Sequence, residues 1–505
     1  MALYFDLLAL PAPGDISRLW NSLFQQTEQR FRLFLPKSTG TIPVDPRIIV
    51  LDTPDDIPAG DLLRLFFAQS EAPILGLLPS TTTLTGNALE RIDRMLRSRR
   101  DCGWAFSDYE TVETCGTRRI ELLDDRGDLT EREDRGPCLW IVRDALQAAG
   151  GIREGLRFAP LYDLKLRLGE RYRTLHIPEA LVQQHLVQPI LSEAEKKQAE
   201  KLYFPGQGKF GGFSYLFLDP AEEAEIESVF YDSLKRRGAW LEAEEGIIDC
   251  PPDVWYQTGA PVVSVVIPVY NRAKFIGSAI ESVVQGIYSD YEIIVVDNAS
   301  TDNTVQVVEA IMQTNPKIRL LKRKTNVIGE ALNDGLFAAR GKYLAQLDSD
   351  DFYSPNTLQS AVAVLDNDPK AGVAISYYDL VDENGVAMPE FGTITHSQYN
   401  RNNILRRDGA GAARIWRRSV LLHNGGFDEA SFGSYGEDYD MILKCGERHR
   451  VVRIQEILYH YRRHPDNTDV LRHHSMKIWS KTEARQRGLI RRRRINDLLK
   501  SETAS

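Results

Sequence analysis

The chain has 505 residues, more than one hydrophobic core accommodates, so at least two domains are expected. Its 43% hydrophobic and 26% charged residues are those of a globular protein, and a formal net charge of −9 argues against nucleic acid as a partner. No apolar run reaches the ~18–20 residues that span a bilayer, and the five scattered cysteines (Cys102, Cys115, Cys138, Cys250, Cys445) form no C-x-x-C pair, which points to reduced thiols in a cytoplasm rather than a zinc site.

The N-terminus, "MALYFDLLALPAPGD", has no basic n-region and carries Asp6 inside its apolar stretch. It reads as a first strand and not as a signal peptide. Residues 191–260 read as an ordered linker. Its helix, "PAEEAEIESVFYDSLKRRGAWL", is acidic at the start and basic near the end, which suits the helix dipole. Gly- and Pro-rich pieces, "FPGQGKFGGF" and "CPPDVW", lie on either side.

From residue 261 the pattern alternates. "VVSVVIPVY" (262–270) and "YEIIVVD" (291–297) are continuous β-branched runs, and the segment between them places Phe275, Ile276, Ala279, Ile280, Val283 and Val284 at helical spacing. "NASTDNTVQVVEAIMQ" follows as a second helix, with Ser300 or Thr301 as its cap and Asp302 in its first turn. Then come "KIRLLKR", a helix around 328–339, and "GKYLAQL". The order βαβαβαβ predicts a mostly parallel α/β sheet covered on both faces. Ligands bind such sheets beyond the carboxyl ends of the strands. Asn271–Arg272, Asp297–Asn298 and Asp348–Asp351 all fall at those ends, so three polar clusters converge on one crevice.

The N-terminal half carries a faint copy of this plan. "LLPSTTTLTGNALERI" (77–92) parallels "QLDSDDFYSPNTLQSA" (346–361); "GWAFSDYE" (103–110) parallels "GVAISYYD" (372–379); "AAGGIREG" (148–155) parallels "HNGGFDEA" (423–430); and "LYDLKLRLGER" (161–171) parallels "DYDMILKCGER" (438–448). The copy keeps apolar and turn positions and loses the acids. Pro79-Ser80-Thr81 stands where the later half has Asp348-Ser349-Asp350, and Pro160-Leu161 stands for Glu437-Asp438. The predicted division is a degenerate, non-catalytic domain at 1–190, the linker at 191–260, a catalytic domain at 261–475 and a basic helical tail at 476–505.

The cluster "DSDD" at 348–351 admits three uses. It can be a solvated turn or helix cap, a site for Mg²⁺ or Mn²⁺, or a pair for acid/base work. Its place directly behind the apolar "YLAQL" favours a charge-neutralising cation for Asp348 and Asp350, with Asp351 left as a cap.

Four ordered motifs, "VSVVIPVYN", "YEIIVVDNASTDNT", "ARGKYLAQLDSDD" and "YGEDYDM", resemble the family 2 glycosyltransferases of the GT-A fold over roughly 262–470. The resemblance implies two GT-A-like, Rossmann-like domains, the first degenerate. It also implies inverting transfer of a sugar from a nucleotide-diphosphate sugar with Mn²⁺ or Mg²⁺. Carried to this sequence, it makes Asp438 the general base and Glu437 its helper in placing the acceptor. Tyr270, Asn271, Asp297 and Asn298 would face the base and ribose, beside Pro268 and Ser349. Asp348 would face ribose or metal, and the D-x-D residue Asp350 would be the main metal ligand. Arg462, Arg463 and His464, in the late loop "YHYRRHPDNTD", would touch the diphosphate or the metal. Two departures stand out: Asn298 where a second aspartate is common, and Leu332 where an arginine is common.

The acceptor is a saccharide, a lipid-linked sugar or a protein. The tail "RQRGLIRRRRINDLLK" (485–500) suits either an anionic membrane surface, which would make the protein peripheral at the inner face, or a helix that is solvated or packed on the N-terminal domain. Two rival functions remain open at this level. A nucleotidyltransferase would want a Gly-rich basic loop that "PVYNRAKF" lacks, and a non-catalytic nucleotide-sugar-binding scaffold would not need the retained acids.

Overall fold

The computed structural model describes residues 4–12, 16–37, 42, 44–113, 116–186, 219–395, 398–407, 409 and 411–504. They fall into two compact units, one within 1–192 together with 218–237, the other within 238–505. The first part of the expected linker, including "FPGQGKFGGF", lies outside the described residues. The helix Pro220–Arg236 belongs to the first unit, where Arg236 pairs with Glu170 and Arg153 with Asp232. Residues 238–260 run along the second unit, where the Leu241 and Ile248 amides donate to Asn402 and Arg448. Among the described residues no helix is long and apolar enough to cross a membrane.

The first unit contains β1 (Phe5–Leu10), β2 (Phe31–Pro36), β3 (Ile48–Leu51), β4 (Ile74–Pro79), β5 (Thr82–Leu84), β6 (Cys102–Glu113), β7 (Gly116–Ile120), β8 (Leu139–Val142) and β9 (Arg173–His185). Its sheet runs β3-β2-β1-β4-β8-β6-β9-β5, with β7 beside β6. The second unit contains β10 (Val263–Val269), β11 (Tyr291–Asp297), β12 (Ile318–Lys322), β13 (Tyr343–Gln346), β14 (Phe352–Tyr353), β15 (Ala371–Val381), β16 (Arg414–Arg417) and β17 (Arg450–Arg462). Its order is β12-β11-β10-β13-β16-β15-β17-β14. The two orders are the same, and the parallel and antiparallel pairings agree at every matched position.

Details below the topology repeat as well. Gly150–Gly151 and Gly425–Gly426, from the matched "GG" pairs, all have φ between 73° and 85°. At Gly426 the turn is also tight, since a Cβ would lie 2.5 Å from the Asn333 Oδ1. His460 Nδ1 lies 2.6 Å from Asp379 across β15 and β17, and Gln183 donates to Glu110 at 2.9 Å across β6 and β9. These cross-strand bonds pin register in both halves, because the same positions pair in both ladders. The sequence expectation of two α/β domains on one plan holds, but the expected mostly parallel sheets are mixed: β4–β8, β8–β6 and β9–β5 pair antiparallel, as do β13–β16, β16–β15 and β17–β14.

Every residue of β10 and β11 is buried; each strand has parallel neighbours on both sides, and the helix Ile328–Ala338 packs on both. The parallel register pairs Val269 with Asp297 and Val266 with Gln346. β10 and β11 therefore end together, while β13 ends earlier, opposite Val266, and its following residues run on beside the end of β10, so the polar residues after all three strands share one edge.

Two expectations need correction. Asp351 caps no helix. It is buried ahead of β14, where it accepts from the Tyr459 hydroxyl at 2.8 Å and the Arg462 amide at 2.8 Å. Nor do Ser300 or Thr301 cap the helix Thr304–Met312; its N-cap is Asn303, which makes no side-chain cap bond, and Asp302 just before it accepts from the Thr304 amide at 2.9 Å. Ser300 instead receives the Asn271 amide at 3.0 Å.

The basic tail is also not a free one. The helix His474–Ala504 packs within the second unit, with Leu489 and Ile495 buried. Arg491 reaches Glu447 at 2.6 Å, Arg485 donates to the Leu405 carbonyl at 2.8 Å, and the fully buried Arg492 donates to the Arg401 carbonyl. Much of the positive charge that suggested a membrane surface is thus matched inside the unit.

Candidate active site

A cleft of about 850 Å³ opens at the shared strand edge of the second unit. Pro268, Tyr270 and Asn271 come to it from the end of β10, Asn298 from β11, and Asp348, Ser349 and Asp350 from β13. Glu437 and Asp438 enter from the first turn of the helix Glu437–Arg448. The three strand-end clusters and the later acidic pair, read from sequence as one site, do meet.

Local backbone geometry supports the meeting. Asn271 and Ala299, with φ of 51° and 65°, are the non-glycine residues at positive φ among those described, and both follow the strands that end at the cleft. Such conformations cost of order 1–3 kcal/mol and gather at functional sites. Asn271 is held by its own side chain, whose Oδ1 accepts from the Thr301 amide at 2.7 Å. Asp297 does not line the cleft. It is buried and accepts from the Ser300 amide at 3.2 Å, so it shapes the loop that carries Asn298.

The acids are not equivalent. Burial pushes the Asp348 carboxyl up to about 6, with Asp350 and Asp438 adding to the rise and Arg414 opposing it. Asp350 is half-buried, which by itself would raise its carboxyl, but its Oδ2 lies 3.0 Å from the His464 Nε2 and 3.0 Å from the Arg272 Nε, and these hold it below the usual range. Glu437 is pushed up to about 8, by burial first and by Asp438 next. Asp438 is more open; its Oδ2 pairs with the Arg414 Nη2 at 2.8 Å and its Oδ1 accepts from the Tyr439 amide at 2.7 Å.

A pH dependence follows from Glu437. Between the unfolded value of 4.5 and about 8, the folded chain holds a proton there that the unfolded chain has released. Stability attributable to this group therefore falls as pH rises through that window. Glu437→Gln should raise the melting temperature relative to wild type at pH 8–9 and give no such gain at pH 4.5. A gain that is the same at both pH values would contradict the assignment.

Among the described residues no group of three or more His, Cys, Asp or Glu side chains is arranged to hold a metal ion. Asp348, Asp350 and His464 are thus not a closed three-residue cage, because Arg272 and His464 both occupy the Asp350 Oδ2. The chemistry of the cleft still suits a hard cation. Mg²⁺-type ions use one or two protein carboxylates and complete their shell with water and substrate phosphate, and a cation would offset the crowded charges of Asp348, Asp350 and Asp438.

The late-loop arginines are not brought to the cleft. Arg462 is buried and donates to the Asp350 carbonyl at 2.6 Å and the Glu383 carbonyl at 3.0 Å. Arg463 is fully buried against Asp469 at 3.1 Å. Both brace the loop that carries His464, which is itself buried, does not line the cleft and reaches it through Asp350. Leu332 is buried core.

Three cleft residues had no role assigned from sequence. Arg272 was visible beside Asn271 but gave no sign that it would reach Asp350. Gln346 and Arg414 carried no local signal. They meet because β13 and β16 pair antiparallel with these two residues opposite each other. Three buried oxygens at the cleft, Asn298 Oδ1, Gln346 Oε1 and Glu437 Oε2, have no hydrogen-bond partner among the described residues. Buried polar atoms are nearly always satisfied, so this grouping points to a ligand rich in donors.

Residues 264–423 match the family described as glycosyl transferase family 2. The chondroitin synthase of Escherichia coli is 28% identical over 213 residues, which cover 42% of this chain and 30% of that protein. An uncharacterized glycosyltransferase of Haemophilus influenzae is 27% identical over 247 residues, covering 45% of this chain and 73% of that one. The chain spans less than a third of the length of the chondroitin and hyaluronan synthases it matches. Among solved structures, S. aureus TarS in complex with UDP-GlcNAc aligns at 23% identity over 42% of this chain and 61% of that chain, with a TM-score of 0.35.

Proposed function

We infer, from the premise that residues 264–423 form a glycosyl transferase family 2 domain, that this chain transfers a sugar from a nucleotide-diphosphate sugar to an acceptor hydroxyl with inversion. The acceptor is a saccharide or glycoconjugate. The observation that carries this reading is the placement of two kinds of acid in one cleft. Asp348 and Asp350 stand at the strand edge, and Asp438 stands on a helix start, held by Arg414 at 2.8 Å.

Chemically, inversion requires one base on the face opposite the leaving group. Asp438 takes the proton of the acceptor hydroxyl as that oxygen attacks the anomeric carbon, and the nucleoside diphosphate leaves. Glu437, protonated near neutral pH, hydrogen-bonds the acceptor or the sugar through its unpartnered Oε2. Tyr270, 39% exposed, offers a ring face to the base, and Asn298 offers its buried oxygen to a donor on the nucleotide. Asp350 and Asp348 would hold Mn²⁺ or Mg²⁺, which when bound neutralises charge on the leaving diphosphate.

The test is calorimetric titration of the full chain with UDP and with GDP, with and without Mn²⁺, beside a transfer assay with UDP- and GDP-hexoses. Asp350→Ala should weaken binding in Mn²⁺ by at least about 100-fold, the upper end of the loss seen for a mere outer-shell partner. Equal affinity would remove Asp350 as the ligand. We read the first unit, which has the fold without the acids, as a scaffold or acceptor platform. One nucleotide per chain is therefore expected, and two would overturn that reading.

A further inference from the structure

The two halves differ in a way that isolates a function. Gln346 and Arg414 are register partners on β13 and β16. The matched partners on β4 and β8 are Leu77 and Leu139. Thus four polar cleft residues, Gln346, Arg414, Glu437 and Asp438, stand where the copy has Leu77, Leu139, Pro160 and Leu161. The sheet accepts leucine at both strand positions without change of order or pairing. Neither Gln346 nor Arg414 is therefore required by the fold.

Each carries an unresolved cost in the second unit. Gln346 is buried with its Oε1 unpartnered at the cleft wall. An orphaned buried acceptor is destabilising, so a ligand hydroxyl or amide is its natural partner. Arg414 opposes the pair of acids on either side of it. It binds Asp438 directly, and its charge also acts on Asp348. Directly opposite residues of an antiparallel pair share one face, so the Gln346 amide and the Arg414 guanidinium stand side by side between the strand-edge acids and the helix-start acids.

We propose that Gln346 and Arg414 form the floor of the sugar subsite, where Gln346 accepts a hydroxyl of the transferred sugar and Arg414 is the positioning residue that orients Asp438. The subsite takes a neutral, hydroxyl-rich hexose ring. This rests on the transferase reading. It goes beyond that reading by separating recognition of the sugar from recognition of the nucleotide. Gln346 sets affinity for the sugar portion of the donor and Arg414 sets the rate of transfer.

The experiment compares Gln346→Leu, Arg414→Leu and Arg414→Lys with wild type, using the copy's own residues so that packing is respected. Affinities for UDP or GDP and for the corresponding UDP- or GDP-hexose are measured with Mn²⁺, and kcat and KM are measured for transfer. Gln346→Leu should weaken the nucleotide-hexose by about tenfold and leave the bare nucleotide within threefold of wild type. Arg414→Leu should lower kcat by about 100-fold with KM for the donor within threefold, and Arg414→Lys should recover part of that loss. Equal weakening of nucleotide and nucleotide-hexose by Gln346→Leu, or a kcat unchanged in Arg414→Leu, would overturn the proposal while leaving the transferase reading intact. A wild-type chain that binds no UDP- or GDP-hexose would overturn both.

Discussion

Asp438→Asn is expected to lower the rate of sugar transfer by about 10³-fold, within the range assigned to a lost general base, and to leave nucleotide affinity nearly unchanged. The asparagine keeps the shape of the side chain. Its single amide oxygen can keep one of the two contacts that orient Asp438, the Tyr439 amide on Oδ1 at 2.7 Å or Arg414 on Oδ2 at 2.8 Å, while the NH2 group in place of the other oxygen can only donate. What it cannot do is take a proton from the acceptor hydroxyl. Because Asp438 is partly open to the cleft, the change leaves no buried charge stranded apart from Arg414, which Asp348 continues to balance. Calorimetric binding of UDP or GDP serves as the check that the cleft remains formed. A variant that transfers sugar at the wild-type rate would exclude Asp438 as the base.

The second large effect concerns stability. Arg491→Ala should destabilise the second unit by about 3 kcal/mol, the low end of the cost of breaking a buried pair from one side. Arg491 lies 2.6 Å from Glu447 and 3.2 Å from Asp440, and both carboxylates are almost fully buried. Burial already pushes the Glu447 carboxyl up, with Arg491 opposing the rise. Lys444 remains for Asp440 at 2.8 Å, and Arg492 lies 3.9 Å from Glu447, which limits the loss. For a unit of this size the expected fall in melting temperature is about 6–12 °C. The paired change Arg491→Met with Glu447→Gln removes both charges and should recover most of it. A single variant that melts within 1 °C of wild type would mean that the C-terminal helix does not hold the unit together.

Much of the site was legible before the fold. Continuous β-branched runs predict buried parallel strands, and parallel strands must end on one edge, so Asn271, Asn298 and Asp348 had to meet. The repeat was legible for the same reason, since the apolar and turn positions that both halves share are the ones that set strand order. Side-chain direction was not legible. Arg462 and Arg463 sit in the expected loop, yet β17 carries them inward to Glu383 and Asp469 and not to the cleft. The packing of the basic tail was not legible either, because Arg491 pairs with Asp440 and Glu447 of another helix.

What the sequence by itself determined is the α/β plan, its duplication, and the acids at the strand ends, all of which follow from periodicity and strand direction. What only the tertiary structure decided is which polar groups stand across from one another. Gln346 and Arg414 are far apart in the chain and are joined only by an antiparallel pairing that no local pattern announces. Arg272 reaches Asp350, and Arg414 reaches Asp438, through contacts between elements. Charge complementarity of this kind depends on distances of a few ångströms across the fold, and spacing along the chain does not record those distances.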